Sequence, residues 1–293
     1  MTPIPLIISG PPRSGTTFFS SLLDGHEHIN WLPDEGFLFE HIHNLNAVGR
    51  EIFLDAARLD LDTYIDGVRD RSLFPLTNKP FSDFPSLEYR WDETLFRRLL
   101  TLDRCQSLGQ LWDITSKAYL AALGQPSAGK YTCMKAADYG RSVFGALGLI
   151  PEARGIIVVR EPKAALNSLH QYRLNRQKKL LSWPTLVHAM TEMNALAENF
   201  SKAVLDGRLL LVRYEDLLAD QRAVMENLCV WLGIPFADAL MVPSMLGSPW
   251  TNNSSFGAGA AGLDSQRQDV LSPGKRALVD KHLTTFKKVF RYD

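Results

Sequence analysis

Hydrophobic and polar positions alternate along this chain in short, regular blocks. Five apolar runs predict buried β-strands, at residues 4–8, 29–32, 131–135, 155–160 and 208–213. The run at 155–160 holds four consecutive β-branched residues, which is typical of a strand buried on both faces of a parallel sheet. Because helical patterns separate these runs, the alternation predicts an α/β fold with a central, mainly parallel sheet flanked by helices.

Helical periodicity fills the intervals between the strands. The predicted helices cover residues 18–23, 50–72, 92–123, the segment after Pro162, 182–205, 220–232 and 273–288. Gly124 and Gly233 follow two of them as stop signals. Residues 73–90 are rich in proline and aromatic side chains, and they fit either a binding loop or a plain surface connection.

Composition narrows the class of protein. The 293 residues are 45% hydrophobic and 22% charged, so we expect a folded core and one domain over residues 1–293. Because 32 Lys and Arg balance 32 Asp and Glu, any anion site must be a local cluster of cations, and we expect no nucleic-acid partner. Three scattered cysteines suggest neither a disulfide framework nor a zinc site. Without an apolar stretch of about 18 residues or a signal-like N-terminus, we expect a soluble, cytoplasmic protein with no transmembrane segment.

A glycine-containing loop follows the first predicted strand. Residues 9–17 read Ser-Gly-Pro-Pro-Arg-Ser-Gly-Thr-Thr, so Gly10 and Gly15 have the G-x-x-x-x-G spacing of a phosphate-binding loop. A strand, a glycine loop and a helix together present backbone N–H groups to an anion. The usual lysine is replaced by Thr16, which fits ATP chemistry poorly, and the cation Arg13 stands inside the loop instead. A plain Gly/Pro turn is the alternative interpretation.

The run Pro-Arg-Ser-Gly-Thr-Thr at residues 12–17 resembles the 5′-phosphosulfate loop of sulfotransferases that use 3′-phosphoadenosine-5′-phosphosulfate (PAPS). The resemblance implies a P-loop-nucleotide-kinase-like fold, PAPS as the sulfuryl donor, 3′-phosphoadenosine-5′-phosphate (PAP) as the product, and no metal. It also implies that the 5′-phosphosulfate is held by Pro12, Arg13, Ser14, Gly15, Thr16 and Thr17. Arg13 would contribute to catalysis as well as to binding.

A second candidate anion site follows the strongest predicted strand. Arg160 stands at the carboxyl end of this strand, Pro162 opens the next helix, and Ser168 lies on that helix. The guanidinium fork suits phosphate, although a strand-end Arg also serves in salt bridges. These positions resemble the pair that holds the 3′-phosphate in PAPS sulfotransferases. The run Arg-Tyr-Glu-Asp-Leu at 213–217 also resembles that family, in which Tyr214 would line the nucleotide pocket and the acids would cap the next helix.

Two further residues are candidates for the chemistry itself. Glu35 follows the second predicted strand, where active sites form in parallel sheets, and the resemblance implies that it is the catalytic base. Asp34 is the alternative acid, and both acids also fit a helix N-terminus. Lys135 ends the third predicted strand, where the family has a Lys that would neutralise charge on the leaving oxygen. Ala136 and Ala137 replace the family's Thr-Pro, and a surface Lys is the alternative.

A polar, glycine-rich segment lies late in the chain, at residues 250–259. It resembles the Asn-Ser-Ser-Phe segment of bacterial-type and tyrosylprotein-type sulfotransferases, which folds over the cofactor. The resemblance implies that Ser254 or Ser255 meets the 5′-phosphosulfate and that Arg267 closes the segment.

Several features leave alternatives open. Four histidines between residues 26 and 43 fit either a metal site or a cleft wall. The Lys and Arg residues at 173–179 either extend the positive field that attracts anions or form a solvent-exposed face. A nucleotide kinase with an altered loop and a non-catalytic nucleotide-binding module are the rival functions. The resemblance implies a hydroxyl-bearing acceptor, and a lipid, a phenol, a sugar and a peptide tyrosine all fit.

Overall fold

Five parallel strands form the central sheet. The structure, a computed structural model, describes residues 2–35, 91–101, 108–203, 207–249 and 270–292. The sheet strands are β1 Ile4–Ser9, β2 Ile29–Glu35, β3 Tyr131–Ala136, β4 Arg154–Val159 and β5 Leu209–Arg213. Their order across the sheet is β2-β3-β1-β4-β5, and every neighbouring pair is parallel. The predicted α/β fold with a parallel sheet is confirmed.

Helices cover both faces of this sheet. They are α1 Thr16–Ser21, α2 Glu93–Leu99, α3 Leu108–Ala122, α4 Arg141–Leu149, α5 Pro162–Gln177, α6 Trp183–Ala203, α7 Tyr214–Ala219, α8 Gln221–Leu232, α9 Pro273–His282 and α10 Thr284–Phe290. A short 3-10 helix, Asp238–Met241, precedes an antiparallel hairpin of β6 Ser244–Met245 and β7 Ser248–Pro249. Within the described ranges, no helix is long and apolar enough to cross a membrane.

Two predicted helices differ from the observed ones. The prediction of one helix over 92–123 is wrong, because α2 ends at Leu99 and α3 begins at Leu108. The predicted helix over 273–288 is divided at Leu283, whose backbone leaves helical geometry while its side chain is fully buried. The predicted elements at 50–72 and 73–90 lie outside the described residues.

The core lies in two layers, one on each face of the sheet. Ile7 and Ile157 point into the layer that contains α3, α4, α6 and α10. Ile8 and Val158, the next residues along the same strands, point into the layer that contains α1 and α8. Each fully buried aliphatic side chain contributes about 1.5–3 kcal/mol to the hydrophobic stabilisation. Burial on both faces explains why the strands appear in the sequence as uninterrupted apolar runs.

The parallel arrangement determines where a site can form. Because all five strands run in the same direction, their carboxyl ends share one edge of the sheet. The loop 10–15 leaves β1 at this edge, between β3 on one side and β4 on the other. Residues at the ends of β2, β3, β4 and β5 therefore surround the loop.

Candidate active site at the carboxyl edge of the sheet

The loop after β1 is built on a tight turn. The backbone N–H of Ser14 donates to the carbonyl of Pro11 at 3.1 Å, so Pro12 and Arg13 are the central residues. Arg13 has φ 72°, as in a type II turn, where proline commonly precedes the residue with positive φ. A non-glycine residue in this region carries strain of about 1–3 kcal/mol, and such residues concentrate at functional sites.

The two glycines of the loop are required by close contacts within the protein. A Cβ atom on Gly10 would lie 2.0 Å from the carbonyl oxygen of Val158 in β4. Gly15 has φ 95°, and a Cβ atom there would lie 2.3 Å from the ring of Tyr214. The loop is therefore pressed against β4 at one end and against the residue that follows β5 at the other.

Helix α1 begins without a side-chain cap. Its N-cap residue is Gly15, which has no side chain, whereas the Glu161 carboxylate caps α5 by accepting from Ala164 N at 2.7 Å. The first N–H groups of a helix have no partner within the helix, so those of Thr16 and Thr17 can bind an external acceptor. Because α1 has only six residues, nearby cations must supply most of the positive charge.

Two arginines meet beside this loop. Arg160, directly after β4, is only 3% exposed. Its Nη1 donates to the carbonyl of Arg13 at 3.3 Å, and its guanidinium lies 4.9 Å from the Tyr214 ring. The Arg13 Nε donates to Ser168 Oγ in α5 at 3.5 Å, and its guanidinium lies 5.0 Å from the Tyr172 ring. The loop, the end of β4 and helix α5 thus bring Arg13, Arg160 and Ser168 together, with Arg13 in contact with each of the other two.

A third cation approaches the loop from β3. Lys135 is buried, and its Nζ donates to the Oγ1 of Thr17 at 3.1 Å. The Cα register partner of Lys135 in β2 is Glu35, after an irregularity that begins at Trp31. Adjacent strands lie about 4.8 Å apart, so the backbones of Glu35 and Lys135 are direct neighbours. The strand runs through Pro33, which an edge strand such as β2 tolerates.

A buried carboxylate fixes the strand ends beneath the loop. Asp138 accepts a hydrogen bond from the hydroxyl of Ser9, the last residue of β1, and Ser9 Oγ accepts from Gly140 N at 2.8 Å. The other Asp138 oxygen accepts from the backbone N–H of Ser142 in α4 at 2.8 Å. Asp138 therefore ties β1 to the segment after β3. Asp138 is not among the predicted site residues, although an Asp shortly before an apolar helical pattern is a helix-start signal.

A second carboxylate supports the turn that carries Arg160. Glu215 accepts from the backbone N–H of Glu161 at 2.9 Å and from the hydroxyl of Tyr292 at 2.8 Å. Burial, and then the negative charge of Glu215, raise the pKa of Tyr292 above its ordinary value. The predicted helix-capping role of Glu215 is wrong, because its carboxylate binds the turn after β4 instead. This contact links the C-terminal residues to the arginine site.

A comparison with families of known proteins identifies the chain. The sequence model of the sulfotransferase family matches residues 5–238, which is well over half of the chain. The chain belongs to the sulfotransferase family. It is therefore a sulfotransferase enzyme, as the loop and the strand-end arginine led us to expect. Among curated proteins, no relative of this sulfotransferase is found.

Solved sulfotransferases share the fold at low sequence identity. A mouse sulfotransferase complexed with PAP aligns with a TM-score of 0.52 and 11% identity, covering 99% of this chain and 89% of that chain. A sulfotransferase from Alicyclobacillus acidocaldarius aligns with a TM-score of 0.51 and 12% identity, covering 100% and 98%. The sulfotransferase domain of the curacin biosynthetic pathway aligns with a TM-score of 0.50 and 16% identity, covering 99% of this chain and 97% of that chain. The predicted P-loop-nucleotide-kinase-like fold is confirmed.

This sulfotransferase brings most of the predicted site residues together. The loop residues contact or adjoin Lys135, Arg160, Ser168 and Tyr214. Their roles stay predictions, and so does the role of Glu35. The predicted residues that lie outside the described ranges are His41, His43, Ser254, Ser255 and Arg267.

The histidines that precede β2 bear on the metal alternative. In His26, Nδ1 accepts from the backbone N–H of His28 at 3.1 Å, and Nε2 lies 3.0 Å from the carbonyl of Pro235. Both nitrogens of this buried ring are therefore used in backbone contacts. Among the residues that the structure describes, no group of three His, Cys, Asp or Glu side chains could hold a metal ion.

Proposed function

We propose that this sulfotransferase takes its sulfuryl group from PAPS and transfers it to a hydroxyl of an acceptor. One observation carries the proposal: Arg13, Arg160 and Ser168 meet on one side of the loop, while Lys135 approaches from the other. PAPS has a phosphate at its 3′ position and a phosphosulfate at its 5′ position. Two separate groups of cations and hydroxyls suit such a donor, because charge-assisted hydrogen bonds are the strongest available to these anions.

Arg160 and Ser168 are the proposed ligands of the 3′-phosphate. Arg160 is held from two directions, by the carbonyl of Arg13 and by the ring of Tyr214, so its guanidinium is pre-oriented before a ligand arrives. Tyr214 is buried against both Gly15 and Arg160, so its contribution is to support the pocket wall. Arg13 lies between the two anion positions and contributes to both.

The loop and the start of α1 are the proposed binding site of the 5′-phosphosulfate. The N–H groups and hydroxyls of Thr16 and Thr17 supply donors at the uncapped helix start. The buried Ser14 hydroxyl has no hydrogen-bond partner among the described residues. A buried polar atom without a partner calls for an explanation, and an anion that completes the loop supplies one.

Lys135 and Glu35 are the proposed catalytic pair. When bound, PAPS supplies an activated sulfuryl group, and its transfer needs alignment and charge neutralisation more than covalent help from the protein. Lys135, held at Thr17 and largely removed from water, neutralises charge that develops on the leaving oxygen. Glu35, next to Lys135 across the β2–β3 pair, accepts the proton of the acceptor hydroxyl. The mouse sulfotransferase of the same fold was solved with PAP, which agrees with this choice of donor.

A thermal-shift comparison tests the donor. PAP at about a hundred times its Kd should stabilise the protein by about 2.7 kcal/mol, which raises Tm by about 5 °C. ATP with Mg²⁺ should give a much smaller shift, because it has no 3′-phosphate for Arg160. A larger shift with ATP and Mg²⁺ than with PAP would contradict the proposal and favour kinase chemistry.

A further inference from the structure

The cations of this chain are distributed unevenly. Residues 162–191 contain five Lys and Arg residues and no Asp or Glu. Residues 270–292 contain six Lys and Arg residues and a single acid, Asp280. Because the whole chain has no net charge, its other parts carry the compensating excess of acidic residues.

The fold joins these two basic segments. Lys275 in α9 donates to the carbonyl of Leu181, between α5 and α6, and its ammonium lies 5.5 Å from the Trp183 ring. Asp280 is bound by Lys287 and, at 3.1 Å, by Lys163 of α5. These hydrogen bonds, first from Lys287 and then from Lys163, lower the pKa of Asp280. The single acid is therefore held in ion pairs and offers little negative charge to a ligand.

Apolar side chains are exposed beside these cations. Leu180 is 65% exposed, and Trp183 and Val187, one turn apart on α6, are 51% and 50% exposed. Leu181 and Leu186 are fully buried and anchor the same stretch to the core. We define the basic-apolar surface as Leu174, Lys178, Lys179, Leu180, Trp183 and Val187, all of which are exposed.

We propose that the basic-apolar surface docks on an anionic lipid bilayer. Lysines next to a membrane are attracted by anionic headgroups, and Trp and Leu side chains enter the boundary between headgroups and acyl chains. A nucleic acid would interact favourably with the lysines but not with the exposed aliphatic side chains. The combination of both therefore favours a lipid bilayer. The proposal is independent of the donor assigned above.

Helix α5 connects the proposed 3′-phosphate site to the basic-apolar surface. Lys178 follows Ser168 by ten residues on or directly after α5, which corresponds to about 15 Å along the helix. The surface therefore begins at the C-terminal end of α5, away from the helix start that follows β4.

Vesicle co-sedimentation of the full chain tests the proposal. The protein should bind vesicles that contain phosphatidylglycerol and should not bind vesicles of phosphatidylcholine alone. Binding should weaken when salt rises from about 0.1 M to about 1 M, because the Debye length falls from about 10 Å to about 3 Å. No binding to the phosphatidylglycerol vesicles would overturn the proposal.

Substitutions assign the binding to this surface. Replacing Lys178 and Lys179 with Gln together should lower vesicle affinity about thirtyfold, since each lysine near an anionic surface contributes about 1 kcal/mol. The matched control replaces Lys117 and Lys202, two exposed lysines on α3 and at the far end of α6, and should leave the affinity unchanged. Equal losses in the two double variants would overturn the assignment, because only general charge would then matter.

The apolar part of the surface needs its own variants. Trp183→Ala should lower vesicle affinity on the order of tenfold, whereas Val230→Ser, at an 82% exposed position on α8, should not. Trp183→Phe should still bind but should lose most of the blue shift in tryptophan fluorescence that vesicles induce. Transfer RNA binding that depends on both lysines, with vesicle binding insensitive to Trp183→Ala, would overturn the lipid assignment in favour of nucleic acid. Thermal unfolding confirms that each variant is folded.

Discussion

Removing the guanidinium of Arg160 should separate binding of the 3′-phosphate from binding of the rest of the nucleotide. Arg160 is buried after β4 and is held by the Arg13 carbonyl and the Tyr214 ring. A hydrogen bond to a charged group is worth about 1.5–3 kcal/mol, so Arg160→Ala should weaken PAP binding roughly ten- to a hundredfold. The substitution also removes support for the loop, which should weaken every nucleotide to a similar extent.

The assay therefore compares two ligands on the same variant. Isothermal titration calorimetry measures the affinities for PAP and for adenosine 5′-monophosphate, which lacks the 3′-phosphate. The difference between the two losses of affinity is the part that is specific to the 3′-phosphate. Arg160→Lys should recover only part of the PAP affinity, because a lysine keeps the charge but not the fork.

Arg154 provides the matched control, because it stands at the opposite end of β4 and donates to the carbonyl of Trp231. Arg154→Ala should lower stability without changing the ratio of the two affinities. Equal losses of PAP and adenosine 5′-monophosphate in Arg160→Ala would refute the assignment of the 3′-phosphate.

Three further predictions concern the residues that support the site. Gly15→Ala should lower the free energy of unfolding by more than Gly25→Ala. Both sites have positive φ, which costs an alanine about 1–2 kcal/mol, but only the alanine at position 15 would meet the Tyr214 ring. Equal losses of unfolding free energy in urea titrations would argue against that contact. Glu215→Ala should cost about 1–3 kcal/mol of stability and should also lower PAP affinity, because the turn after β4 loses its acceptor; unchanged PAP affinity would separate this carboxylate from the site. Because the pKa of Tyr292 is raised above its ordinary value of 10.0, its stabilising contribution is full below the unfolded pKa and is lost as the pH rises toward the folded one. By about pH 11 the wild type should have lost about 1.4 kcal/mol more of its free energy of unfolding than Tyr292→Phe has. Parallel pH profiles of unfolding free energy for the two proteins would contradict this.

The parts of the fold that the sequence predicts correctly are those encoded by local patterns. The stretch 155–159 of β4 is predictable because burial on both faces leaves no polar position in it. The glycine spacing of the loop and the Arg at the end of β4 are also local signals. Each is therefore visible without any knowledge of the strand order.

The missed contacts join residues that are distant in sequence. Ser9 and Asp138 are separated by 129 positions, and Glu215 and Tyr292 by 77. Such pairs depend on β3 lying next to β1 and on the C-terminal residues reaching β5, and no local periodicity encodes either arrangement. The helix break at Leu283 is likewise not encoded in the local helical pattern.

Sulfuryl transfer from PAPS, followed directly, tests the central claim. The measurement uses PAPS labelled in its sulfur and a panel of phenols, sugars, lipids and tyrosine peptides, and it scores the labelled product together with PAP. Wild type should transfer the label to at least one hydroxyl acceptor, and Glu35→Gln should reduce this turnover by about 10²–10⁴-fold while PAP affinity is unchanged. Asp34→Asn should be much milder, because Glu35 is the register partner of Lys135. Loss of turnover in Asp34→Asn with an active Glu35→Gln would show that the wrong acid was chosen, and PAP binding without label transfer to any hydroxyl would contradict the account.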